Sequence, residues 1–199
     1  LKQDLAFFEE NFTGIMPLEV IINTNKNRSA TRVSTLQKVD EFQQYLAEQP
    51  EISQPISIVG FVKAARQAFY NNSPAFYELP DRRDQAFIFR YLKNSQQADT
   101  TDASGEQSAK MTLLQNFSDS TGQKIRVSLK IADIGSNEIK KLIEDKIQPK
   151  ADEIFDDEET EVTVTGASLL FTKGNEFLID NLLVSLLLAF CLIAIIMAL

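Results

Sequence analysis

The chain has 199 residues, 44% of them hydrophobic, with a formal net charge of -8 and a pI of about 4.7. An acidic surface of this kind excludes nucleic acid, whose phosphates need a basic face, and gives no polybasic membrane anchor. There is no histidine and a single cysteine, Cys191, so imidazole chemistry, His-bearing zinc sites and an intrachain disulfide are excluded as well.

Residues 2–13 set Leu5, Phe8 and Phe12 on one stripe at helical spacing, and Gly14 closes this expected helix. Pro17 opens the next element, and residues 18–24 (LEVIINT) read as a strand. A loop rich in Asn, Lys and Arg follows. Ser34 then reads as a helix cap with Gln37 completing a capping box, and Leu36, Val39, Phe42 and Leu46 keep the apolar stripe. Pro50 and Pro55 end this helix, and residues 56–59 (ISIV) form a short strand, which completes a strand–helix–strand unit. Two further helices are expected at 61–72 and 82–93, separated by Pro74 and Pro80. Residues 94–108 hold no apolar side chain larger than alanine and read as a flexible loop or linker.

The second half repeats the pattern. Residues 111–117 (MTLLQNF) fit a strand or a short helix, and a turn follows at 119–122. Ile125, Val127, Leu129 and Ile131 alternate with Arg126, Ser128 and Lys130, the clearest strand in the chain. Ser136 caps an expected helix with Ile139, Leu142, Ile143 and Ile147 on one face. Residues 161–165 (EVTVT) alternate as another strand, closed by Gly166. Two mirrored units of this kind give an α+β expectation of two ferredoxin-like βαβ subdomains. The first spans 1–105 and carries the extra helices; the second spans 106–167; a linking helix then runs into a membrane segment over 168–199.

Residues 182–199 (LLVSLLLAFCLIAIIMAL) have one polar side chain, Ser185, whose hydroxyl can bond back to a helix carbonyl. Such a run extends about 27 Å as a helix, against a hydrocarbon core of about 30 Å. A buried helix in a soluble core would keep a polar face over this length. The segment is therefore expected to begin a transmembrane helix, with Asp180 marking the membrane interface. The chain opens at Leu1 and stops inside the apolar run, so both ends read as cut points in a longer protein.

Candidate chemistry is sparse. The stretch 152–161 (DEIFDDEETE) holds seven carboxylates but no glycine and no Asp-x-Asp loop, so a solvated helix end is favoured over a cation site. Phe61, Phe69, Phe76, Phe87 and Phe89 form either an aromatic path for an apolar substrate or, at helical spacing, core and a subdomain seam. Asn11, Asn27, Asn71 and Asn116 match the glycosylation pattern, which is read as coincidence. Gly166 and Gly174 form no phosphate loop. No nucleophile can be matched to a histidine, so an enzyme is not expected. No catalytic, cofactor or metal residue is assigned, and none is assigned to a substrate path.

The run FFEENFTGIMPLEVIINT at 7–24 resembles the opening of an extracytoplasmic loop in RND-superfamily exporters of the MMPL and Patched-like branch, that of the second repeat more than the first. The stretch 162–199 resembles the end of such a loop, where a strand closes on glycine and a linking helix enters the membrane, and KIRVSLKIADIGSNEIKKLIEDKI at 124–147 fits between them. The resemblance implies porter-type subdomains in a bacterial inner (plasma) membrane protein, with residues 1–175 in the periplasm or outside the cell. It further implies a proton-driven efflux transporter of hydrophobic or lipid-like molecules, for which this loop is conduit and gate. Its partners would be the bilayer, the rest of its own transporter chain and a hydrophobic substrate. The proton-relay residues would lie in helices outside this sequence. The competing expectation is a single-span membrane-tethered sensor or binding ectodomain.

Overall fold

The computed structural model describes residues 14–90, 116–157 and 159–198. The expected helix at 2–13, the linker at 94–108 and most of the segment 111–117 lie outside the described residues. Three strands, β1 (Met16–Asn23), β2 (Lys124–Ile131) and β3 (Glu161–Thr165), form one antiparallel sheet in the order β2-β1-β3. Pairing runs from Met16 opposite Ile131 to Asn23 opposite Lys124, and from Glu19 opposite Thr165 to Asn23 opposite Glu161. This register puts Leu18, Val20 and Ile22 on the same face as Ile125, Val127 and Leu129, and all six are buried. Alternate residues point to opposite faces of a strand, so Glu19, Arg126 and Thr163 fall on the other side. There Arg126 and Glu19 form an ion pair at 2.8 Å across the two strands.

Helices cover the apolar face. α1 (Val33–Ala47) buries Leu36, Val39, Phe42 and Leu46, the stripe its spacing dictates. α2 (Ile58–Phe69) buries Val59, Val62 and Ala65. After β2 the chain forms α3 (Ser136–Lys141), a π-helical stretch (Leu142–Ile147) and α4 (Gln148–Ile154) without a break. Ile139, Ile143, Ile147 and Ala151 from this run are all buried. Steps of four residues drift round an α-helix by about 40° each, and the wider π turn corrects that drift so that one stripe faces one core. Phe42 and Phe155 meet edge to face at the core centre, with centroids 5.9 Å apart. Each such buried aliphatic or aromatic side chain contributes about 1.5–3 kcal/mol over exposure.

The two half-chains do not build separate sheets in the described residues. β1, from the first expected subdomain, is the central strand between β2 and β3 of the second. The β2–helix–β3 run forms as a strand–helix–strand unit, whereas of the first expected unit β1 and α1 form without the strand at 56–59, and the apolar faces of both share one core. Residues 51–56 complete the arrangement along the outer edge of β2, through bridges of Ile52 to Ile131 and Ile56 to Ser128.

Several boundaries differ from expectation. The strand foreseen at 56–59 reduces to the Ile56 bridge, because Ser57 caps α2 by accepting from the Val59 amide at 3.1 Å and the helix starts at Ile58. That helix therefore runs earlier than 61–72. Arg32 and Gly135, with no side-chain cap bond, precede α1 and α3 in place of the foreseen caps Ser34 and Ser136. Of the helix foreseen at 82–93, residues 85–90 are helical.

Candidate functional site

Where β3 ends, the chain turns through Gly166 and enters α5 (Ala167–Ala198). Gly166 has φ +128°, and a Cβ there would lie 2.9 Å from the Pro17 carbonyl oxygen, so the turn requires glycine twice over. Directly after it, the Ser168 hydroxyl donates to Pro17 O at 2.7 Å, and Thr172 Oγ1 donates to Ser168 O at 3.0 Å. Both side chains are buried. Lys140 of α3 reaches Glu176 of α5 at 3.5 Å. The first turns of α5 are thus tied to the central strand and to the helix layer.

Beyond this junction the helix continues unbroken. At about 1.5 Å per residue it is about 48 Å long. It is long and apolar enough to cross a membrane, and none of its most apolar window is buried in the protein. Large exposed side chains from Leu182 to Met197 make this a helix for an apolar solvent, which points to membrane association. The linking segment 168–181 and the apolar segment beginning at Leu182 are one continuous helix. Asn181 and Ser185 bond back to Phe177 O and Leu182 O, which satisfies their polar groups within the helix.

A second feature lies on the far side of α1. A groove of about 610 Å³ separates α1 from α2, with Ile56, Phe61 and Tyr77 along it. Its end wall is fixed by a satisfied buried network in which Ser57 Oγ donates to Gln43 Oε1 at 2.7 Å and Gln43 Nε2 donates to Pro55 O at 3.1 Å. Lys63 and Asp40 pair across the two helices at 2.7 Å.

The phenylalanines singled out in the sequence are not brought together as one path. Phe61 packs on Phe117, Phe76 stacks on Tyr70 at 4.2 Å, Phe69 meets Tyr70 edge-on, Phe87 is exposed and Phe89 rests against the core. The stacked pair frames a buried cation that sequence reading missed. Arg66 donates to Glu78 at 2.7 Å, to Leu79 O at 3.0 Å and to Asp84 at 3.2 Å, which locks the loop after α2. An arginine on the polar margin of a helix gives no sequence signal of burial.

Four carboxylates of the acidic stretch 152–161 are held in ion pairs. Glu153 holds Lys150, Asp156 and Asp157 hold Lys38, and Glu159 holds Lys26. The hydrogen bond to Lys38 keeps the Asp156 carboxyl below the usual carboxylate range. Among the described residues no group of three or more acidic or thiol side chains is placed to hold a metal ion. No family model and no curated protein matches the chain.

Proposed function

We propose that the chain is a porter-like extracytoplasmic loop of a proton-driven RND/MMPL-type exporter, serving as conduit and gate for hydrophobic or lipid-like molecules. The observation that carries this reading is the continuity of α5 with the sheet. A rigid helix that crosses a bilayer and is bonded to the central strand delivers any tilt of its membrane half straight into the folded domain. Rigid-body rocking of this type is an established way to open and close a cleft. The strand order β2-β1-β3, with residues 51–56 bridged to the outer edge of β2, supports reading the domain as a ferredoxin-like porter subdomain.

In the full-length protein, Leu170→Pro removes the amide that donates to Gly166 O and breaks the rod. A Gly-Gly insertion beside Phe177 softens it further along. Both variants should retain a folded domain by circular dichroism and lose export of a hydrophobic dye from cells. Normal export by both would sink the proposal. The same helix, long and apolar enough to cross a membrane, also serves a competing reading, a single-span sensor ectodomain. The hydropathy profile of the whole gene product separates the two, since an exporter requires many further spans.

A further inference from the structure

We infer that an exposed stripe on the first turns of α5 is the docking surface for residues 1–13 of the same chain. The stripe is Phe171, Gly174 and Leu178, which steps of three and then four residues place on one side of a helix. Phe171 is 70% exposed and Leu178 is 65% exposed. Both precede the apolar stretch that begins at Leu182, and Asp180 and Asn181 stand between. On the water side of that boundary, large exposed apolar side chains in a row mark an interaction site.

The chain's own connectivity supplies the partner. Gly14 seats against the end of β2 so closely that a Cβ there would lie 2.6 Å from the Ile131 carbonyl carbon. A few residues on, the Pro17 carbonyl oxygen accepts the Ser168 hydroxyl from the first turn of α5. The chain before Gly14 therefore joins the sheet at the end from which α5 departs. The two segments run in opposite chain directions, because β1 begins at that end and β3, antiparallel to it, finishes there.

Length and pattern agree with this. As a helix, residues 1–13 would extend about 20 Å, and α5 covers about 17 Å between Phe171 and Leu182. Leu5, Phe8 and Phe12 repeat the spacing of Phe171, Gly174 and Leu178, three residues and then four. Laid antiparallel, Phe12 falls beside Phe171, Phe8 over Gly174 and Leu5 beside Leu178, at the 8–10 Å axial separation of packed helices. Gly174 has no side chain to exclude the Phe8 ring, and no other atom lies within 4 Å of where its Cβ would be. The inference concerns packing within the chain and suits an exporter loop or a single-span ectodomain alike, so it and the transport reading can fail separately.

Disulfide trapping in the whole chain, held in nanodiscs and carrying Cys191→Ser so that no other thiol is present, tests the docking. Mild oxidation of Phe12→Cys with Phe171→Cys, or of Leu5→Cys with Leu178→Cys, should convert most of the chain to an internally crosslinked monomer with circular dichroism unchanged, because facing positions fall within disulfide reach. Phe12→Cys with Lys173→Cys should stay reduced, since Lys173 lies about 160° round the helix from Phe171. Failure of both facing pairs to crosslink, or equal crosslinking through Lys173, would overturn the docking. So would disulfides formed only between chains, which would make a second copy the cover of the stripe.

Discussion

The hydroxyl of Ser168 and the carbonyl oxygen of Pro17, 151 residues apart in sequence, are joined by a 2.7 Å hydrogen bond that fastens the long apolar helix α5 to the central strand. Removing one buried partner leaves Pro17 O unsatisfied, a cost of about 1–3 kcal/mol. Ser168→Ala should therefore lower the thermal midpoint by several degrees, whereas Ser168→Thr, which keeps the hydroxyl, should recover part of the loss. Equal midpoints for wild type and Ser168→Ala would show the bond to be idle.

Gly166→Ala should be worse than Ser168→Ala. It meets a positive φ and a carbonyl oxygen at 2.9 Å together. Strain at such a backbone position alone costs about 1–3 kcal/mol. Gly60→Ala, with open space around it, should instead be neutral or stabilising by up to about 1 kcal/mol. Chemical denaturation of both variants in nanodiscs checks this opposite sign.

Stability should be flat from about pH 5.5 to 8, because no histidine is present to titrate there. Below that window two carboxyls matter. At Asp119 partial burial opposes the charge, but the amides of Lys124 and Gln123 and the Thr121 hydroxyl outweigh it and hold the carboxyl low. At Asp156 the bond from Lys38 does the same. A carboxyl depressed in the folded state stabilises above its unfolded value of about 3.9 and loses that contribution as pH falls through the folded value. The thermal midpoint should accordingly drop below about pH 4, and less steeply in Asp119→Ala. Lys38 and Lys150 are raised, chiefly by hydrogen bonds to Asp156 and Glu153, so their contribution disappears only above about pH 10.4. A marked slope between pH 6 and 7 would contradict this assignment of charges.

Phe42→Ala should be among the most damaging core substitutions, at about 3–5 kcal/mol, because it empties the contact with Phe155 beneath the sheet. Urea denaturation followed by far-ultraviolet circular dichroism measures it. A loss below about 1 kcal/mol would mean that the core refills.

Membrane insertion of α5 should be sensitive to one charge. Phe190→Arg, near the middle of the apolar stretch, should cost about 2.5–3.5 kcal/mol of insertion free energy. Alkaline extraction of membranes should then release more of the variant than of the wild type. Unchanged retention would remove the bilayer as the solvent of this helix.

Much of the local structure was legible because half-buried elements write their geometry in side-chain order. The alternation from Ile125 to Ile131 marks β2 to within a residue, and the Leu36–Leu46 stripe marks α1. What periodicity omits is the partner. Nothing near Met16 or Ile131 states that they face each other across more than a hundred residues, so two mirrored units were expected where one sheet forms. Short β-branched runs are ambiguous as well. ISIV at 56–59 suits a strand, and the Ser57 cap is what tips it into a helix start. The long apolar helix at the C-terminal end was visible from composition alone. The groove over Gly60 was not, because it arises from two helices whose exposed faces carry no joint pattern.

The π-helical stretch Leu142–Ile147 has a consequence for how this gene tolerates length change. Deleting a single residue there would let the helix relax into ordinary α geometry at little local cost. The wide turn holds one residue more than an α turn, so everything downstream would keep its place and angle. Ile147, Ala151 and Ile154 would still face the core, and Phe155 would still meet Phe42. A one-codon loss would be absorbed at this stretch, whereas the same loss inside α1 would turn the rest of that helix by about 100°.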